Sequence, residues 1–152
     1  MTCDIHQFDF KRIALLLEDK IEGFTGLMTV EKFPGGQSNP TFLLRARSGK
    51  YVLRRQPPGQ LLKSAHAVDR EFRVLSALAN TRVPVARALY LCEDRDLIGS
   101  MFYVMSFEEG RIFWDPSLPE LHRKERASLY DAMLQTMATL HGVDLEAVRL
   151  AD

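Results

Sequence analysis

Cysteine is nearly missing from this chain. The 152 residues hold two, Cys3 and Cys92, far apart and without a Cys-x-x-Cys pair. They read as reduced intracellular thiols rather than as a disulfide framework. Net charge is missing too, since 20 Lys and Arg balance 20 Asp and Glu. With no bulk field, nothing draws the chain toward nucleic acid or an anionic membrane, and any anion must be held by placed groups. No apolar run approaches the roughly 18 residues of a membrane span. The opening Met-Thr-Cys-Asp-Ile-His lacks the basic start and apolar stretch of a secretory signal. The expectation is a cytoplasmic protein with no nucleic-acid or membrane partner. Repeats and low-complexity tracts are also absent. His6, His66, His122 and the two cysteines show no metal-ligand spacing.

What is present is a run of short elements. Phe10, Ile13, Ala14, Leu17 and Ile21 recur at helical spacing and predict a helix over 9–22, stopped by Gly23. Three strands follow, at 27–33, 41–46 and 51–55, joined closely enough to form an antiparallel meander. Pro57-Pro58-Gly59 ends the third, because proline cannot donate to a ladder. Ser64 is the expected cap of a helix running to about residue 78. Strands at 88–92 and 101–107 flank the acidic turn 93–96. Glu108-Glu109-Gly110 breaks the pattern, Pro116 and Pro119 mark a loop, and a long helix runs from 122 or 123 to 141. Tyr130, Met133, Met137 and Leu140 share one side of it, and the two methionines read as core. Five antiparallel strands with a helix after the third make an α+β lobe, not the alternating strands and helices of a dinucleotide fold.

The stretch around which the lobe is organised is Phe-Pro-Gly-Gly-Gln-Ser-Asn-Pro-Thr-Phe, residues 33–42. Gly35 and Gly36 allow close backbone approach to a ligand, and successive N–H groups in such a turn can form an anion site. Ser38 and Asn39 add side-chain donors. One reading is a cover for nucleotide phosphates; the other is an ordinary glycine-rich hairpin. The loop joins two strands and has no Gly-Lys-Ser/Thr, so it is not a Walker loop.

A cation and a carboxylate favour the first reading. Val52 and Arg54 share one face of the third strand. On the next helix Glu71 falls inside the stripe formed by Val68, Phe72, Leu75 and Leu78. A carboxylate there needs a partner, and Arg54 is the natural one. Such a pair would aim the guanidinium at a phosphate under the loop, because Arg bonds carboxylate and phosphate bidentately.

Covering loop, third-strand cation and helix Glu form the layout of a kinase small lobe. The blocks 35–42, Tyr-Val-Leu-Arg-Arg at 51–55, 57–62, 64–75 and Phe-Tyr-Val-Met-Ser-Phe-Glu-Glu-Gly at 102–110 resemble the aminoglycoside phosphotransferase family. More narrowly, they resemble its branch similar to the kinase-like domain fused to some acyl-CoA dehydrogenases. The resemblance runs from about Phe24 to Leu150. It implies a protein-kinase-like small lobe over 1–107, then the hinge and the start of a large lobe over 108–152. It implies a transferase that moves phosphoryl from Mg²⁺–ATP to a small-molecule hydroxyl. Gly35, Gly36, Gln37, Ser38 and Asn39 would cover the phosphates, Arg54 would hold them, and Glu71 would orient Arg54. Val52 and Met105 would flank the adenine, and Ser106 and Glu108 would offer it backbone groups.

The family's catalytic His-Gly-Asp loop and metal-binding Asp fall in the large lobe, so Mg²⁺ ligands are expected outside this chain. The expectation is thus an N-terminal fragment inactive alone. The alternatives are a non-catalytic nucleotide-binding or interaction module, and a large lobe supplied by a separate chain. Self-association through 123–141 is expected in either case, because that helix face lacks cover. His141-Gly142-Val143-Asp144 mimics the catalytic loop but has an extra residue and no following Asn, so Gly142 reads as a helix cap. Asp94 and Asp96 read as a solvated turn rather than a metal pair.

Overall fold

A computed structural model describes residues 9–34, 39–57 and 67–151. Its contacts divide the chain into two units, Met1–Ser76 with Ala86–Phe107, and Ala77–Val85 with Glu108–Asp152.

The first unit is built on α1 (Phe10–Lys20) and five strands: β1 (Leu27–Lys32), β2 (Thr41–Ala46), β3 (Gly49–Arg55), β4 (Ala88–Cys92) and β5 (Phe102–Ser106). Asp9 caps α1 by accepting from the Arg12 N–H, 3.2 Å. The helix buries Ile13 and Leu17, four residues apart on one face. The turn into β1 requires Gly26. Its φ is +62°, and a Cβ there would lie 2.7 Å from Arg47 Cδ. β1 ends one residue earlier than its pattern predicts, yet the Phe33 N–H still donates to the Thr41 carbonyl, 3.0 Å.

All strand pairs are antiparallel, and the sheet order is β1-β2-β3-β5-β4. The last two strands therefore swap places relative to chain order. Residues opposite one another share a face. Phe42, Leu53 and Val104 form one row, and Leu44 sits beside it on the same face. These side chains join Ile13, Leu17 and Phe24 in the main core. The opposite face carries Leu43, Val52 and Met105 in one row, and Thr41, Arg54 and Tyr103 in the next. Leu43 and Val52 are buried but lie outside that core cluster.

α2 spans Val68–Leu78. The expected cap Ser64 lies outside the described residues. Phe72 of α2 meets the ring of Tyr103 edge-on, with centroids 6.0 Å apart.

In the second unit, α3 runs Arg123–His141, with His122 as N-cap and Gly142 as C-cap. Glu125 Oε2 accepts from the His122 N–H, 2.9 Å, closing the capping box. None of the α3 residues is buried. Met133 and Met137, read as core from the sequence, are exposed instead, together with Tyr130, Leu134 and Leu140. Periodicity reveals a shared side, but not what covers it.

Candidate functional site

The site is built from one row of the sheet and one turn of α2. Arg54 on β3 stands between Thr41 on β2 and Tyr103 on β5. Glu71 comes down from α2 onto this row. Arg54 Nε donates to Glu71 Oε2 at 2.6 Å and Nη2 donates to Oε1 at 3.3 Å. Arg54 Nη1 donates to Thr41 Oγ1 at 3.1 Å. Glu71 receives two further hydrogen bonds. Asn39 Nδ2 donates to Oε1 and the Tyr103 hydroxyl donates to Oε2, both at 3.0 Å. Each carboxylate oxygen thus has two donors.

Burial separates the members. The Arg54 and Glu71 side chains keep 31% and 35% of their exposure. Asn39 and Tyr103 are 4% and 3% exposed. The ion pair is reachable from solvent, whereas Asn39 and Tyr103 are not. Burial, then the Glu71 carboxylate, push the Tyr103 phenol pKa well above its ordinary value. Tyr103 is therefore a fixed donor at neutral pH.

The remaining expected site residues fall as follows. Val52 and Met105 are cross-strand partners beside Leu43, in an apolar row next to that of the guanidinium. The Ser106 N–H donates to the Arg87 carbonyl at 2.9 Å, and its Oγ accepts from the Arg87 N–H at 2.8 Å. That takes the Ser106 N–H out of the groups available to an adenine. Glu108 is exposed and belongs to the second unit. Gly35, Gly36, Gln37 and Ser38 lie outside the described residues. Asn39, expected to face phosphates, instead turns its amide to Glu71.

Thr41 and Tyr103 were not singled out in the sequence. Thr41 was detectable in principle, because a short β2–β3 turn places it opposite Arg54. Tyr103 was not, because its place beside Arg54 depends on β5 rather than β4 joining β3.

Other candidates carry no such convergence. Asp94 Oδ1 accepts from the Asp96 N–H, 2.9 Å, as in an ordinary turn. Asp144 Oδ1 accepts from the Glu146 and Ala147 N–H groups at 3.0 and 3.2 Å, so it caps the next turn. A cleft of about 430 Å³ in the second unit includes Asp144 in its lining, and that carboxylate is already committed. Among the described residues no group of three or more His, Cys, Asp or Glu could hold a metal ion, and no helix is long and apolar enough to cross a membrane. Burial pushes up the pKa of the one described cysteine, Cys92, and so disfavours a reactive thiolate.

A five-stranded antiparallel sheet, a helix after its third strand and a cation–carboxylate pair between them define the small lobe of a kinase-like fold. The chain belongs to the phosphotransferase enzyme family, whose family model matches residues 29–152. It is 46% identical over 153 residues to "Probable acyl-CoA dehydrogenase IBR3" of Arabidopsis thaliana, covering 95% of this chain and 19% of that one. Acyl-CoA dehydrogenase family member 11 of Mus musculus is 42% identical over 149 residues, with the same coverage. Family member 10 of Mus musculus is 49% identical over 126 residues, covering 83% of this chain and 12% of that one. The chain thus spans about a fifth of the length of the first two. Among solved structures it is similar to a "putative aminoglycoside phosphotransferase" from Ralstonia eutropha, with a TM-score of 0.82 and 43% identity. That match covers 95% of this chain and 41% of the other. The resemblance read from the sequence, including its acyl-CoA dehydrogenase branch, is borne out.

Proposed function

We propose that this chain is the nucleotide-binding part of an ATP-dependent phosphotransferase whose acceptor is a hydroxyl on a small molecule. The observation that carries this reading is the held guanidinium. An arginine has five N–H groups. Among the described residues, Glu71 and Thr41 engage three of those on Arg54, which leaves two for a ligand. A partly exposed cation with two N–H groups to give fits a phosphate, and an apolar row of Leu43, Val52 and Met105 suits the purine side of the site. Bound Mg²⁺–ATP would supply the phosphoryl group and the metal's charge. Arg54 would hold phosphate oxygens, and Glu71 orients Arg54. The general base and the metal ligands belong, in this reading, to a large lobe beyond these residues. Catalysis of this kind is positioning and charge stabilisation. Location in the cytoplasm and self-association through the exposed α3 stripe complete the proposal.

Calorimetric titration of Mg²⁺–ATP into the chain and into Arg54→Ala tests it. The expected result is saturable binding that weakens by roughly tenfold or more in the variant, the loss of a charge-assisted bidentate contact. Equal affinity for both would remove Arg54 from the site. A non-catalytic nucleotide-binding module shares the first result, so phosphoryl transfer is read separately, as substrate-dependent ADP release.

A further inference from the structure

We infer that Tyr103 and Thr41 are positioning residues for Arg54, and that together they set which two of its N–H groups face the nucleotide phosphates. The inference rests on the phosphotransferase reading above and adds to it a mechanism for aiming the cation. Thr41, Arg54 and Tyr103 are opposed across β2, β3 and β5, so their side chains rise from one face in a single row. A guanidinium gripped only by a carboxylate can still pivot with it. Here that motion is opposed at two points. Thr41 Oγ1 accepts from Nη1, the nitrogen that Glu71 does not touch. The Tyr103 hydroxyl donates to Oε2, the oxygen that also receives Arg54 Nε. Tyr103 meets Phe72 edge-on as well, which ties it to the helix that carries Glu71.

Once these bonds are made, one N–H on Nη1 and one on Nη2 remain. Two N–H groups on neighbouring nitrogens can grip two oxygens of a phosphate at once. A lysine at this position has three donors on one nitrogen. It could reach Glu71, but it could not also hold Thr41 and present a two-toothed edge. The row therefore accounts for arginine at position 54.

The test is a double-mutant cycle read by Mg²⁺–ATP calorimetry and thermal denaturation, with ATP raised to millimolar levels for the weak variants. The proteins are wild type, Tyr103→Phe, Thr41→Val, Arg54→Ala and the two doubles with Arg54→Ala. Both single variants keep shape and remove one polar atom. Each should weaken Mg²⁺–ATP binding by about fivefold, part of the worth of one hydrogen bond to a charged group. In the Arg54→Ala background the same changes should leave affinity within about twofold, because no guanidinium remains to be aimed. A purely structural role would weaken binding equally in both backgrounds, and that result overturns the inference. Unchanged affinity in the single variants overturns it too, and leaves the phosphotransferase reading standing if Arg54→Ala still weakens binding. Wild type that binds no ATP overturns both. Should Tyr103→Phe fail to fold, Thr41→Val carries the test alone.

Discussion

Glu71→Gln removes one charge and changes one atom in a side chain that receives four hydrogen bonds. The replaced oxygen becomes a donor. If it takes the Oε1 place, it faces Arg54 Nη2 and Asn39 Nδ2. Asn39 can turn its amide to answer, but Arg54 cannot, because a guanidinium has no acceptor. If it takes the Oε2 place, it faces Arg54 Nε and the Tyr103 hydroxyl. Tyrosine can then accept, but again Arg54 cannot. Either way the two-point grip on Arg54 is lost while the packing volume stays nearly constant. The pair is about one-third exposed on each side, 31% and 35%, so the cost lies between that of a surface pair and a buried one. A value of about 2 kcal/mol follows from those limits. For a chain of this size that lowers Tm by roughly 4–8 °C. Urea unfolding at neutral pH, with thermal denaturation beside it, measures the difference. A loss under about 0.5 kcal/mol would place the Arg54–Glu71 contact among surface pairs of no consequence and refute the reasoning.

Alkaline pH tests Tyr103. Its folded pKa lies above the ordinary value of 10.0, so the folded state keeps a proton that the unfolded state releases first. Its contribution is complete below about pH 10 and declines as pH rises beyond it. Wild type should therefore lose stability more steeply than Tyr103→Phe as pH rises above about 10; parallel curves would contradict the assigned burial. Gly26→Ala combines a φ of +62° with a Cβ 2.7 Å from Arg47 Cδ, whereas Gly23→Ala at φ +77° meets nothing within 4 Å. The first should cost about 2 kcal/mol and the second about 1 kcal/mol by denaturant unfolding, and equal losses would show that Arg47 yields freely.

The meander β1–β3 was legible because alternation and short turns are local signals. So was the ion pair. Arg54 shares a strand face with Val52, and a lone carboxylate within a helical apolar stripe must be met by a cation. The identity of the neighbours across β5 was not legible. Strand order β3-β5-β4 is decided by which edge best buries Phe102 and Val104, and both are fully buried against partners distant in sequence. Tyr103 reaches Glu71 only through that choice.

Asn39 shows the same limit at closer range. As a side chain at the end of a glycine-rich loop it looked like a donor to ligand phosphates, and its amide bonds Glu71, 32 residues away. The α3 methionines show it in reverse, since a helical stripe reads the same whether a neighbour covers it or not. Composition and period determined which segments are strands and helices, and which charges had to meet, because both follow from spacing along the chain and the cost of an unpaired charge. Only the tertiary structure decided what braces that pair, because register across non-consecutive strands is set by side-chain packing between residues the sequence does not place together.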